Sequence, residues 1–97
     1  MTKHPAIYIL TNQPRGFMYC GVTRNLPRRI WVHKYRVLGG TGAKHKLTQL
    51  VYFELIDDIT QAICRQQQIK KAPRTETIRL IEQHNPQWLD LYSNIVD

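Results

Sequence analysis

At 97 residues, with 42% apolar and 22% charged side chains, the chain has an ordinary globular composition and the length for a single core. Its 14 Lys and Arg against 7 Asp and Glu leave a net charge of +7, which favours polyanionic partners. No apolar run approaches the roughly 20 residues of a bilayer span, and Met1–Pro5 lacks the apolar core of a secretory signal, so a cytoplasmic location is the expectation and a membrane is not an expected partner.

Ala6–Thr11 is rich in β-branched and aromatic residues and ends at Asn12-Gln13-Pro14-Arg15-Gly16, a cluster of turn formers. Phe17–Val22 follows at once, so the two runs read as an antiparallel hairpin in which Tyr8 and Tyr19 can share a face. Asn25 is a preferred N-cap and Pro27 is tolerated only in a first turn, which predicts a helix over Leu26–Val37. Gly39-Gly40-Thr41-Gly42 ends it in a loop that carries Lys44, His45 and Lys46. A third strand over Leu50–Leu55 gives way to Asp57-Asp58, where Asp58 is placed to cap a helix over Ile59–Lys71 that Pro73 cannot continue. A third helix over Thr75–His84 stops before Asn85-Pro86, and Trp88, Leu89, Leu91 and Tyr92 suggest a last amphipathic turn folding back on the body. The order β-β-α-β-α-α describes an α+β protein, a small three-stranded sheet with flanking helices. It forms one domain over residues 1–97, with a core at about 5–84 and a C-terminal packing segment at about 85–97.

Several kinds of chemistry lack their residues. The only serine is Ser93, there is no glycine-rich phosphate loop, and the four histidines have no zinc-ligand spacing. Cys20 and Cys64 lie among apolar neighbours and read as buried free thiols. The polar residues in apolar places say more. On the first helix Leu26, Ile30 and Val37 form the inward stripe, with Arg29 and His33 at its edge one turn apart. The other side gathers Arg24, Arg28, Trp31, Lys34 and Tyr35, which is either a surface for holding phosphates and stacking bases or a solvated face with incidental rings. On the second helix Ile59, Ala62, Ile63 and Ile69 form a stripe with Gln66 near its middle and Lys70 just behind. An amide there needs a partner, either backbone or the floor of an active site. Glu54 closes the third strand and reads on its own as a strand-end charge.

The series Ile7-Tyr8-Ile9-Leu10, Met18-Tyr19-Cys20-Gly21-Val22-Thr23, Asn25-Leu26 and Arg29-Ile30-Trp31-Val32-His33-Lys34 resembles the GIY-YIG endonuclease signature of short, stand-alone bacterial proteins. The likeness extends through Leu50–Glu54, Gln68–Lys71 and Asn85–Trp88, with an arginine ten residues after the second tyrosine and a histidine four further on. The resemblance implies a divalent-metal-dependent phosphodiesterase using magnesium or manganese, a nuclease of DNA repair or processing. Tyr8 and Tyr19 look like the paired tyrosines that orient or deprotonate the attacking water. Arg29 looks like the cation beside the scissile phosphate, and His33 like the partner of a tyrosine or of the nucleophile. Gln66 stands where the family carries its metal-binding glutamate, and a neutral amide loses most of a carboxylate's attraction for magnesium. A variant site would recruit Glu54 or another carboxylate instead. Ala72 replaces a common tryptophan, and the Gly39–Lys46 loop lacks the usual aromatic.

With Arg24, Arg28, Trp31, Lys34, Tyr35, Lys44, Lys46 and Lys70 as the nucleic-acid-binding set, the expectation is an endonuclease preferring single-stranded or structured DNA over RNA. It would be a monomer or weak homodimer, weakened by Gln66. The alternative is a non-catalytic DNA- or RNA-binding module on the same scaffold.

Overall fold

A computed structural model describes residues 4–35 and 46–96. Strand β1 (Ala6–Thr11) is buried at every position, which is possible only for a central strand covered on both faces. It pairs antiparallel with β2 (Met18–Thr23) on one side and β3 (Gln49–Leu55) on the other, giving the order β2-β1-β3. Side chains alternate along β1, so Ile7 and Ile9 enter one core and Ala6, Tyr8 and Leu10 the other.

The first core lies under α2 (Ile59–Lys71) and α3 (Arg74–His84), which contribute Ala62, Ile69 and Ile81 and are closed by Trp88. The second lies under α1 (Leu26–Tyr35), which contributes Leu26 and Ile30, with the short α4 (Tyr92–Ile95) packed at its margin. The element order and the three-stranded architecture are those expected of the sequence.

The caps act where the sequence puts them. Asn25 Oδ1 accepts from the Arg28 amide at 3.3 Å, and Asp58 Oδ1 accepts from the Gln61 amide at 2.8 Å. Pro73 opens α3 as well as closing α2, so that helix begins at Arg74. Asn85 does more than mark a stop. Between Ile9↔Tyr52 and Leu10↔Leu50 the β1–β3 register shifts at Val51, and the Asn85 side chain donates to the Val51 carbonyl at 3.0 Å. It also donates to the Leu89 carbonyl and accepts from the Leu89 amide, so a buried amide spends its capacity on backbone that the bulge and the C-terminal turn expose.

Four expectations need correction or limits. Ile63 is exposed, because α2 meets the sheet through Ala62 and Ile69 and turns Ile63 onto its outer flank. Leu89 is exposed too, while Trp88 takes the buried place. Cys64 lies on the open side of α2 and is exposed, whereas Cys20 is half-buried and its burial pushes the thiol up to about 11. The predicted end of the first helix at Val37, and Lys44 in the following loop, lie outside the described residues. No helix among the described residues is long and apolar enough to cross a membrane.

Candidate active site

Tyr8 occupies the middle of the central strand on the α1 side, directly across from Gly21 of β2. One turn of α1 separates Arg29 from His33, and both side chains come down over Tyr8 from above. The Arg29 Nε donates to the Tyr8 hydroxyl at 3.4 Å, and that hydroxyl lies 3.5 Å from His33 Nε2. The Tyr19 ring, from β2, completes the group, with centroids 6.2 Å from Tyr8 and 6.1 Å from His33. Two phenols, a guanidinium and an imidazole, separated along the chain, therefore converge.

They differ in access. Tyr8 is 1% exposed, whereas Tyr19, Arg29 and His33 are only partly buried. An incoming group meets those three, with Tyr8 behind them.

Gly21 makes the arrangement possible, and the sequence reading passed over it. A Cβ at this position would lie 2.4 Å from both Cζ and Oη of Tyr8, so the Tyr8 ring crosses β2 in the space a side chain would fill. The available signal was a glycine inside an otherwise apolar strand, which marks a close approach.

The electrostatics follow from burial and from one cation. Burial raises the Tyr8 pKa above its usual 10.0, and the opposing hydrogen bond from Arg29 does not reverse this. Burial, joined by the charge of Arg29, lowers the His33 pKa below its usual 6.5. At neutral pH the cluster holds a neutral phenol at Tyr8, a neutral imidazole and the positive charge of Arg29. The groups that act on Tyr8, Arg29 and His33 are one another and Tyr19, with no carboxylate among them.

The residues considered as metal ligands are otherwise engaged. Gln66 is half-buried on α2 and donates its amide to the Cys20 carbonyl of β2 at 3.0 Å, the backbone partner that an amide in an apolar stripe requires. Glu54 stands across from Ile7, on the opposite sheet face from Tyr8. There it accepts from Arg65 at 2.8 Å and 2.9 Å and from the Tyr52 hydroxyl. Burial pushes the Glu54 pKa up, but these hydrogen bonds and the Arg65 charge outweigh it and leave it lowered. Among the described residues no three His, Cys, Asp or Glu side chains are grouped to hold a metal ion. Phenols, an imidazole, a guanidinium and a neutral amide do not make the anionic oxygen cage that magnesium or manganese requires.

The basic face divides. Arg28 lies over the Trp31 ring at 5.6 Å from its centroid, and Trp31 and Tyr35 contact each other at 5.9 Å. Trp31 is 39% and Tyr35 65% exposed, so rings and cation form an open row along α1, with Arg24 exposed nearby. Lys46 and Lys70 are exposed at other points of the surface. Lys34 does not join the open row, because its ammonium is spent inside the protein. It pairs with Asp90, donates to the Thr48 carbonyl at 2.8 Å and lies over the Tyr92 ring, with its side chain 14% exposed. Asp90 in turn accepts from the Leu50 amide, so Lys34 ties the C-terminal segment to β3.

Comparison with known proteins places the chain in a family context. The family profile described as GIY-YIG catalytic domain matches residues 4–79. A UPF0213 protein of Syntrophus aciditrophicus is 33% identical over 82 residues, covering 84% of this chain and 92% of that protein. One from Clostridium perfringens is 35% identical over 79 residues, with 77% and 80% covered, and one from Staphylococcus saprophyticus 33% identical over 87 residues, with 86% and 99% covered. No solved structure matches.

Proposed function

Since the chain belongs to the GIY-YIG family, we propose that it takes a DNA phosphodiester against Tyr19, Arg29 and His33 and acts there as an endonuclease whose rate is reduced by Gln66. The observation that carries this reading is the meeting of Arg29, His33 and both tyrosines around one hydroxyl, with Arg29 half-buried and bonded to no carboxylate. A fixed guanidinium can take the non-bridging oxygens and stabilise charge that builds on them. His33, neutral at pH 7, is available to accept a proton, and Tyr8 holds Arg29 and His33 at their spacing from behind. The contacts of 3.4 and 3.5 Å are long, as hydrogen bonds in unliganded sites often are. The open row of Arg28, Trp31 and Tyr35 supports a preference for strands with unpaired bases, which can stack on exposed rings.

A second reading is favoured by the bond from Gln66 to Cys20, which gives position 66 a structural occupation. On that reading the chain binds nucleic acid without cutting it. Cleavage of labelled single-stranded and branched DNA by the natural chain and by Gln66→Glu, with magnesium or manganese supplied, separates the two. Cutting that disappears in Arg29→Ala supports the endonuclease. Binding by both proteins with cutting by neither sinks it and leaves the binding module.

A further inference from the structure

We infer that the Tyr8–Tyr19–Arg29–His33 cluster binds a nucleic-acid phosphate without a divalent cation, position 66 serving to tie α2 to the edge strand. The inference rests on the proposed function only in taking this cluster as the phosphate site.

All Asp and Glu except Asp97 fall in the described residues, and their commitments can be followed one by one. Glu54 is held by Arg65 and Tyr52, Glu82 by Arg15 and Trp88, and Asp90 by Lys34 and the Leu50 amide. Asp58 caps α2, while Asp57 and Glu76 are exposed at the beginnings of α2 and α3. Among the described residues no carboxylate acts on Tyr8, Arg29 or His33. Gln66 adds no negative charge, being a neutral amide whose nitrogen donates to the Cys20 carbonyl.

The consequence is a matter of charge. With the buried Tyr8 phenol and the His33 imidazole neutral, Arg29 gives the cluster a positive charge, opposite to the −1 of a phosphodiester. A carboxylate near the same place would cancel that charge and repel the phosphate, and a metal ion would then be needed to bring the two anions together. The natural chain has no such repulsion to overcome. Its phosphate affinity is therefore set by Arg29 directly.

The test is fluorescence anisotropy of a labelled oligothymidylate with the full chain, in EDTA and in magnesium chloride at matched ionic strength. The natural chain is expected to bind equally in both, within about twofold, and Arg29→Ala to bind about tenfold more weakly in both. A magnesium-dependent gain of about tenfold for the natural chain overturns the inference and leaves the phosphate site standing. Indifference to Arg29→Ala in both buffers removes the phosphate site itself. A second measurement uses the unaltered chain alone. Manganese titrated into it is expected to broaden no NMR signals of Tyr19, Arg29 and His33 selectively, and selective broadening of that set overturns the inference.

Discussion

Gly21→Ala is the sharpest probe of the cluster, because it adds one methyl group where the Tyr8 ring already lies. The new Cβ would stand 2.4 Å from Cζ and Oη of Tyr8, about 1 Å inside ordinary carbon contact. Tyr8 cannot move outward freely, since it is 1% exposed and held by Arg29, His33 and Tyr19. Either the ring shifts away from Arg29 and His33 or β2 withdraws from β1. Overpacking of this kind costs about 1–3 kcal/mol, and replacing glycine returns about 0.4–1 kcal/mol through the unfolded chain, leaving a net loss of about 1–2 kcal/mol. For a domain of 97 residues that is a fall in Tm of roughly 4–16 °C. Urea and thermal unfolding measure it, and Tyr8→Leu supplies the control. With Cζ and Oη removed, Gly21→Ala should cost about 1 kcal/mol less than in the natural chain. Equal costs in both backgrounds, or no change in Tm, would refute the close approach as the reason for this glycine.

Two further outcomes follow from the same contacts. Lys34→Ala removes the partner of Asp90 and the donor to Thr48, and should destabilise by about 1–2 kcal/mol, with hydrogen exchange accelerating first at the Leu50 and Leu91 amides. Loss of nucleic-acid affinity with unchanged exchange there would mean that Lys34 acts as a surface cation instead. His33 should titrate below its ordinary 6.5 in an NMR experiment, and Arg29→Ala should raise that midpoint only partway, because burial is the larger cause. A histidine pKa depressed by folding means that the unfolded chain binds the proton more readily. Its contribution to stability is therefore complete above 6.5 and is lost as pH falls through the folded value. A midpoint above 6.5 would contradict the buried placement.

The element order was legible because its signals are local. Turn formers after Thr11, Asn25 and Asp58 as caps and Pro73 as a boundary each act within a few residues. Two halves of the cluster were legible for a related reason, since one helical turn sets Arg29 beside His33 and strand alternation lets Tyr8 and Tyr19 share a face, whereas the meeting of the two halves was implied only by the family resemblance. What the sequence hid depends on partners far along the chain. Helical period put Lys34 on an outer face, but Asp90, 56 residues away, draws it in. Period also placed Ile63 on the inward stripe, yet it cannot say how wide a strip of α2 the sheet covers, and here the strip ends at Ala62 and Ile69. For Gln66 the period allowed either a backbone tie or a site floor, and the Cys20 carbonyl that its nitrogen meets lies 46 residues away, beyond what local pattern can show.

The distribution of charge explains why Arg29 is the cation that matters. Lys34 and Arg65 are also partly buried, but each meets a carboxylate, Asp90 for one and Glu54 for the other. Arg29 has the hydroxyl of a phenol that burial keeps neutral, so its field is not cancelled. A half-buried cation without an anion is tolerated at a cost in desolvation that structural ion pairs avoid. Strand alternation keeps Glu54 on the far face of the sheet, where Arg65 neutralises it, and it does not relieve Arg29. The net charge of +7 draws polyanions to the whole surface, and on the proposed reading a phosphate beside Tyr19 and His33 meets in Arg29 a half-buried cation that no described carboxylate neutralises. On that reading binding at the cluster and attraction to the surface are separate effects, the first lost in Arg29→Ala and the second screened by salt.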